Sequence, residues 1–95
     1  MFPDKDEKPV VAYPCQWGYK VIGPDEASMR LAVQECLDAC LGPEVDAREF
    51  TLVLSRASKG GRYVSLGMTL TVLDEAERNA VFQALNARDE ILMVI

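Results

Sequence analysis

Ninety-five residues, 49% hydrophobic and 26% charged, supply one packed domain and leave no room for a second core. Ten basic against fifteen acidic residues give a formal charge of −5, which argues against nucleic acid as a partner, because that affinity comes mainly from cations placed on phosphates. There is no histidine, the most frequent general base near neutral pH, and no apolar run near the ~20 residues of a membrane span.

The first fourteen residues read as a flexible arm, with residues 15–95 forming the domain. Asp4, Lys5, Asp6, Glu7 and Lys8 stand beside Pro9 and offer little to bury. They also lack the apolar stretch of a secretory signal, so a cytoplasmic address is expected. The first strand is predicted over Trp17 to Ile22, where Trp17, Tyr19 and Val21 alternate onto one face. Gly23-Pro24-Asp25 breaks it: glycine turns, proline starts a helix and Asp25 caps the free N–H groups.

From Glu26 to Cys40 the apolar residues Met29, Ala32, Val33, Cys36, Leu37 and Cys40 recur at steps of three and four, the stripe of a core-facing helix. Gly42-Pro43 ends it. Cys36 and Cys40 share that stripe and read as small core hydrophobes, since nothing nearby completes a four-ligand zinc set. Phe50 to Arg56 alternates as a second strand, with Phe50, Leu52 and Leu54 inward. Ser58-Lys59-Gly60-Gly61 has the composition of a tight hairpin. Tyr63 to Leu73 is a third strand, with Val64, Leu66, Met68, Leu70 and Val72 on the core side and Ser65, Gly67, Thr69 and Thr71 on the other. Asp74 and Glu77 open a second helix as a variant capping box, Arg78 and Arg88 pointing toward solvent or the helix C-terminus. Ile91 to Ile95 reads as a fourth strand.

Strand, helix, strand, strand, helix, strand is the order of the ferredoxin-like α+β sandwich, a four-stranded antiparallel sheet with two helices on one face. Right-handed crossovers place the first strand beside the third and leave the second and fourth as edges. Bare apolar edges invite pairing, so a homodimer is expected, formed edge to edge or through the open face.

Two segments carry a family resemblance. Tyr13-Pro14-Cys15-Gln16-Trp17-Gly18-Tyr19-Lys20-Val21-Ile22-Gly23 resembles the aromatic-x-Tyr-Lys-Val-hydrophobic-Gly opening of the YbeD-like family of small bacterial proteins. Ser58-Lys59-Gly60-Gly61-Arg62-Tyr63-Val64-Ser65 resembles that family's Ser-Lys-Gly-x-Tyr-x-Ser hairpin with one extra residue before the tyrosine, and Met93-Val94-Ile95 matches its apolar ending. The resemblance implies a ferredoxin-like fold, a likeness to the ACT-type regulatory domains of amino-acid enzymes, a link to lipoate metabolism suggested by gene proximity, and no known enzymatic activity. In ACT-like domains the connection after the first strand helps bind small effectors between subunits, which makes Gly23 and Asp25 candidates here.

From the residues themselves, Lys20 should leave the sheet on its open face beside Ser65, Gly67 and Thr69. There it is either a plain solvated lysine or a contact for a carboxylate ligand or an acidic partner. Ser58, Lys59 and Gly60 either form a solubilised turn or cradle an anion on glycine-rich backbone. The reading is therefore a non-catalytic regulatory or ligand-sensing module without cofactor, its metabolite or protein partner unspecified. An interaction adaptor working through the open sheet face is the alternative, and an RNA-binding module the weaker one.

Overall fold

The chain alternates between strands of period two and helices whose apolar stripe packs onto them. In the computed structural model, which describes residues 12–57, 60 and 62–95, the elements are β1 (Cys15–Gly23), α1 (Glu26–Leu41), a 3-10 segment (Gly42–Ala47), β2 (Phe50–Ala57), β3 (Val64–Val72), α2 (Glu75–Asn86) and β4 (Met93–Val94). The sheet is antiparallel in the order β2-β3-β1-β4, as the crossover rule requires.

One contiguous core lies between the sheet and the helices. Tyr19 and Val21 of β1, and Leu66, Met68, Leu70 and Val72 of β3, meet Met29, Ala32, Val33, Cys36 and Leu37 of α1 and Val81 and Leu85 of α2. No charged or polar residue is buried in it among the described residues. Each fully buried Leu or Val contributes about 1.5–3 kcal/mol of transfer free energy. Both helices start on an aspartate: the Ser28 N–H donates to Asp25 at 2.8 Å and the Glu77 N–H to Asp74 at 2.7 Å. α1 stops at Gly42, whose φ of 61° is left-handed and whose N–H returns to the Asp38 carbonyl.

Four details depart from the sequence expectation. Pro43 does not end the helical path but opens the 3-10 segment, a first-turn position that suits its fixed φ. β4 is two residues long rather than five, although N–H groups of Leu92 and Ile95 donate to the Ile22 and Lys20 carbonyls at 2.8 and 2.9 Å. The helices cover Phe50 and Leu52 but not the far half of β2, so Leu54, expected inside, is 50% exposed. Of the expected arm, residues 1–11 lie outside the described residues, while Tyr13 packs against the core and Tyr13-Pro14 is a cis peptide.

A further departure, in the pairing of β2 with β3, bears most on function. β2 and β3 pair in register from Phe50↔Leu70 to Leu54↔Leu66, and then the register slips, so that Arg56 faces Ser65. Simple alternation would put Arg56 on the core side with Leu54. The bulge at Ser55 gives β2 one extra residue and turns Arg56 onto the open face.

Candidate functional site

Between Lys20 on β1 and Gly67 opposite it on β3, the open face is low. Gly18 and Gly67 bring no side chain to the surface, and Thr51, Val53, Thr69 and Ile95 stand around them. The result is a shallow trough of about 380 Å³, open along its length, with the exposed Lys20 at its side. Where β1 and β2 end and β3 begins, a smaller notch of about 110 Å³ is formed by Ile22, Arg56, Tyr63, Val64 and Ser65. The Ser65 Oγ is buried there and has no hydrogen-bond partner among the described residues.

The other predicted site residues have different employment. Gly23 is packed against the core: a Cβ on it would lie 2.5 Å from the Met29 Sδ and 2.6 Å from the Glu90 carbonyl oxygen. It also does not serve as a turn, being the last residue of β1. The Asp25 carboxylate is held by Ser28, whose hydrogen bonds keep its pKa below the usual carboxylate value. Neither residue lines the trough or the notch, so the structure does not gather Lys20, Gly23 and Asp25 into one cleft. Ser58 and Lys59 lie outside the described residues, and Gly60 takes a φ of 81°, the left-handed geometry of a turn glycine.

Strand alternation places Ser65 on the open face but assigns Arg56 to the core side. Its placement depends on a bulge that no glycine or proline announces. The signal that does single Arg56 out is charge: Lys20 and Arg56 are the only charged residues in β1 to β4.

The helical side uses its arginines internally. Arg48, with only 7% of its side chain exposed, donates to both Glu77 carboxylate oxygens, to Glu44 at 2.8 Å and to the Thr71 carbonyl at 3.1 Å. Those hydrogen bonds hold the Glu77 carboxyl below its ordinary pKa and raise that of Arg48. Glu77 also accepts from the Leu73 N–H at 3.0 Å, one residue before the cap, which completes the capping variant anticipated for Asp74.

Arg78, expected toward solvent or the helix C-terminus, instead lies over the Trp17 ring at 4.3 Å and donates to the Tyr13 hydroxyl at 3.1 Å. Tyr19 donates to the Arg78 carbonyl at 3.0 Å, and burial pushes its phenol up to about 12. Arg88 joins the end of α2 to Glu35 of α1 at 2.7 Å and to Glu90 at 2.6 Å. Cys36 is buried and Cys40 half-buried, both thiols raised by burial, consistent with packing roles. Among the described residues no three His, Cys, Asp or Glu side chains are grouped to hold a metal, and no helix is long and apolar enough to cross a membrane.

Known proteins supply kinship and no activity. An uncharacterised protein of Helicobacter pylori strain 26695 is 30% identical over 93 residues, covering 98% of this chain and 99% of its own length. Another, from strain J99, is 36% identical over 84 residues, 88% of each chain. A solution structure of the Helicobacter pylori protein HP0495 aligns over 100% of this chain and 96% of its own, with TM-score 0.81 and 27% identity. A second solution structure of HP0495 covers 99% of this chain and 100% of its own, at TM-score 0.58 and 29% identity. With a family model matching residues 8–95, the chain belongs to the YbeD-like proteins described as a family of unknown function, DUF493.

Proposed function

We propose that this protein is a non-catalytic, cytoplasmic interaction module that binds a protein partner on the open face of its sheet. The supporting observation is the composition of that face. Around the Gly18 and Gly67 trough stand Val53 at 58% exposure, Ile95 at 65% and Lys20, and the notch beside it is lined by Ile22 and Arg56, with Met93, 52% exposed, paired opposite Ile22. Apolar surface with a polar rim is the usual makeup of a protein contact. Photocrosslinking in native cells tests this, with the reactive group placed at Thr69 on the open face or at Gln83 on the exposed side of α2. A discrete adduct from Thr69, lost when Gly67→Arg fills the trough and absent from Gln83, is the expected result. Adducts from Gln83 alone overturn the reading.

The position of Lys20 beside the trough favours a second reading, the regulatory binding of a small metabolite that the family's ACT-like character and suggested lipoate link imply. Amino acids, lipoate derivatives, nucleotides and small acids form the panel for a thermal-shift assay. A ligand at 100 times its dissociation constant adds about 2.7 kcal/mol of stability. A shift that Lys20→Ala removes supports metabolite binding, and a flat panel leaves the protein-partner reading.

We also propose that any homodimer forms along the β4 edge. The outer side of β2 is partly occupied, because Arg30 Nη1 donates to the Leu52 carbonyl at 3.0 Å. Light scattering at high micromolar concentration reads this directly: a mass of two chains that Val94→Pro returns to one.

A further inference from the structure

We infer that the segment received by the open face is an extended, acidic and apolar stretch of a partner protein, its carboxylates meeting Arg56 and Lys20 and the Ser65 hydroxyl donating beside Arg56. This rests on the interaction reading above and names its ligand chemistry.

Charge separation within the molecule carries the inference. The chain has five more acidic than basic residues, yet β1 to β4 contain no Asp or Glu. Arg30, Arg48, Arg78 and Arg88 each end on a carboxylate. The side chains of Lys20, Arg56 and Arg62 have no ion-pair or hydrogen-bond partner among the described residues. In a protein this acidic, the unpaired side chains of Lys20 and Arg56 on one face mark where negative charge from outside is accommodated.

The bulge sharpens the case, since it spends a residue of regular pairing to bring Arg56 over Ser65. A buried hydroxyl without an acceptor forfeits a hydrogen bond that a carboxylate on Arg56 would restore. Arg56 and Lys20 stand two strands and two residues apart in the register, Arg56 opposite Ser65, Ser65 opposite Ile22, and Lys20 two before Ile22. Strand spacing and rise make that about 12 Å between their Cα atoms, or about four residues of extended chain. Acids four apart, with apolar residues between them for Val53, Ile22 and Ile95, fit both cations.

Other occupants fit less well. A small molecule is normally enclosed in a pocket of about 300–1,000 Å³ that covers most of its surface. The notch is about 110 Å³ and the trough is an open groove. A second copy meeting face to face would present the same strands, which carry no acid to meet the cations. Single-stranded RNA needs aromatic rings to stack on, and glycines occupy the centre of this face.

The test selects displayed random peptides on the immobilised full chain and measures one enriched peptide by fluorescence polarisation. Enrichment of Asp or Glu four apart, interleaved with apolar residues, is expected. Binding should weaken about tenfold in Arg56→Ala, corresponding to about 1.4 kcal/mol. It should weaken several-fold in Lys20→Ala and in Ser65→Ala, and stay unchanged in Gln83→Ala. Circular dichroism verifies that each variant is folded.

Enriched peptides without acids, or indifference to Arg56→Ala and Lys20→Ala, overturn the acidic ligand. If Gly67→Arg still blocks those peptides, the open-face reading survives, and if it does not, that reading fails as well. No enrichment at all, tighter binding of an RNA oligonucleotide or a small acid at the same residues, or a two-chain mass lost in Lys20→Glu would each overturn the proposal.

Discussion

On the helical side of the sheet, Arg48 from the loop before β2 reaches Glu77 at the start of α2, and Arg88 from the end of α2 reaches Glu35 on α1. Each ion pair ties two segments together, and the acids involved are drawn from helices and their connections. On the open side, Lys20 and Arg56 project from β1 and β2 with no acid on any strand to meet them. The same kind of side chain thus serves two ends. Where a guanidinium is walled in by protein it must be paired, because an unpaired buried charge is costly. Where it stands in water it contributes little to stability and is available for binding.

The strongest way to break this contrast is through the two faces of a single sheet. Leu70, fully buried on the core side of β3, should cost about 2–5 kcal/mol when changed to Ala. Val53, 58% exposed on the open side of β2, should stay within about 0.5 kcal/mol in Val53→Ala. Urea denaturation measures both. A large loss at Val53 would mean that its face is part of the fold rather than a surface for another molecule.

Next in size is the ion pair between the loop and α2. Glu77→Ala leaves Arg48 almost buried with only the exposed Glu44 as a partner, and it removes the acceptor for the Leu73 N–H. A loss of about 2–3 kcal/mol is expected, below the range for a fully buried pair because Glu77 retains 18% exposure. The pH dependence has a definite sign. The folded pKa of Glu77 lies below its unfolded value, so its contribution is complete above the ordinary glutamate pKa and fades as pH falls toward the folded pKa. Glu77→Gln should therefore lose less stability between neutral pH and the acid side of the glutamate range than the parent does. Identical pH profiles would remove Glu77 from the network.

Arg78→Ala should cost about 1 kcal/mol, the scale of a partly desolvated cation–π contact. It should also shift the emission of Trp17, the chain's only tryptophan, because the guanidinium lies 4.3 Å from its ring. Unchanged emission would place Arg78 in solvent, one of the two positions expected from sequence.

How legible these features were follows from how local they are. Strand alternation, the stripe from Met29 to Cys40 and the aspartate caps depend on neighbours a few residues away, and they gave the element order and the sheet topology. The pairs Arg48–Glu77 and Arg88–Glu35 span 29 and 53 residues, so no spacing rule could join them. Gly23 reads from sequence as a turn and a candidate site residue, whereas the reason for a glycine lies in Met29 and Glu90, which only the packed structure brings against it. Lys20 was found because alternation in β1 is unbroken. Arg56 was missed because one extra residue at Ser55 inverts the parity from which its side would be read.

The smallest expected effect is also the most telling for function. Replacing Lys20 and Arg56 together by alanine removes both charged residues of the sheet, and it should change stability by no more than about 0.5 kcal/mol per site. Their sites are about 12 Å apart with no shared partner, so the two changes should add. Neither side chain donates a hydrogen bond within the described residues, in contrast to the four paired arginines of the helical layer. A double variant as stable as the parent by urea denaturation, yet unable to hold the peptides that the parent selects, would separate binding from folding at this face. A loss beyond about 1.5 kcal/mol would instead show that the cations support the sheet, since a truly solvated lysine or arginine has no route to an effect that large.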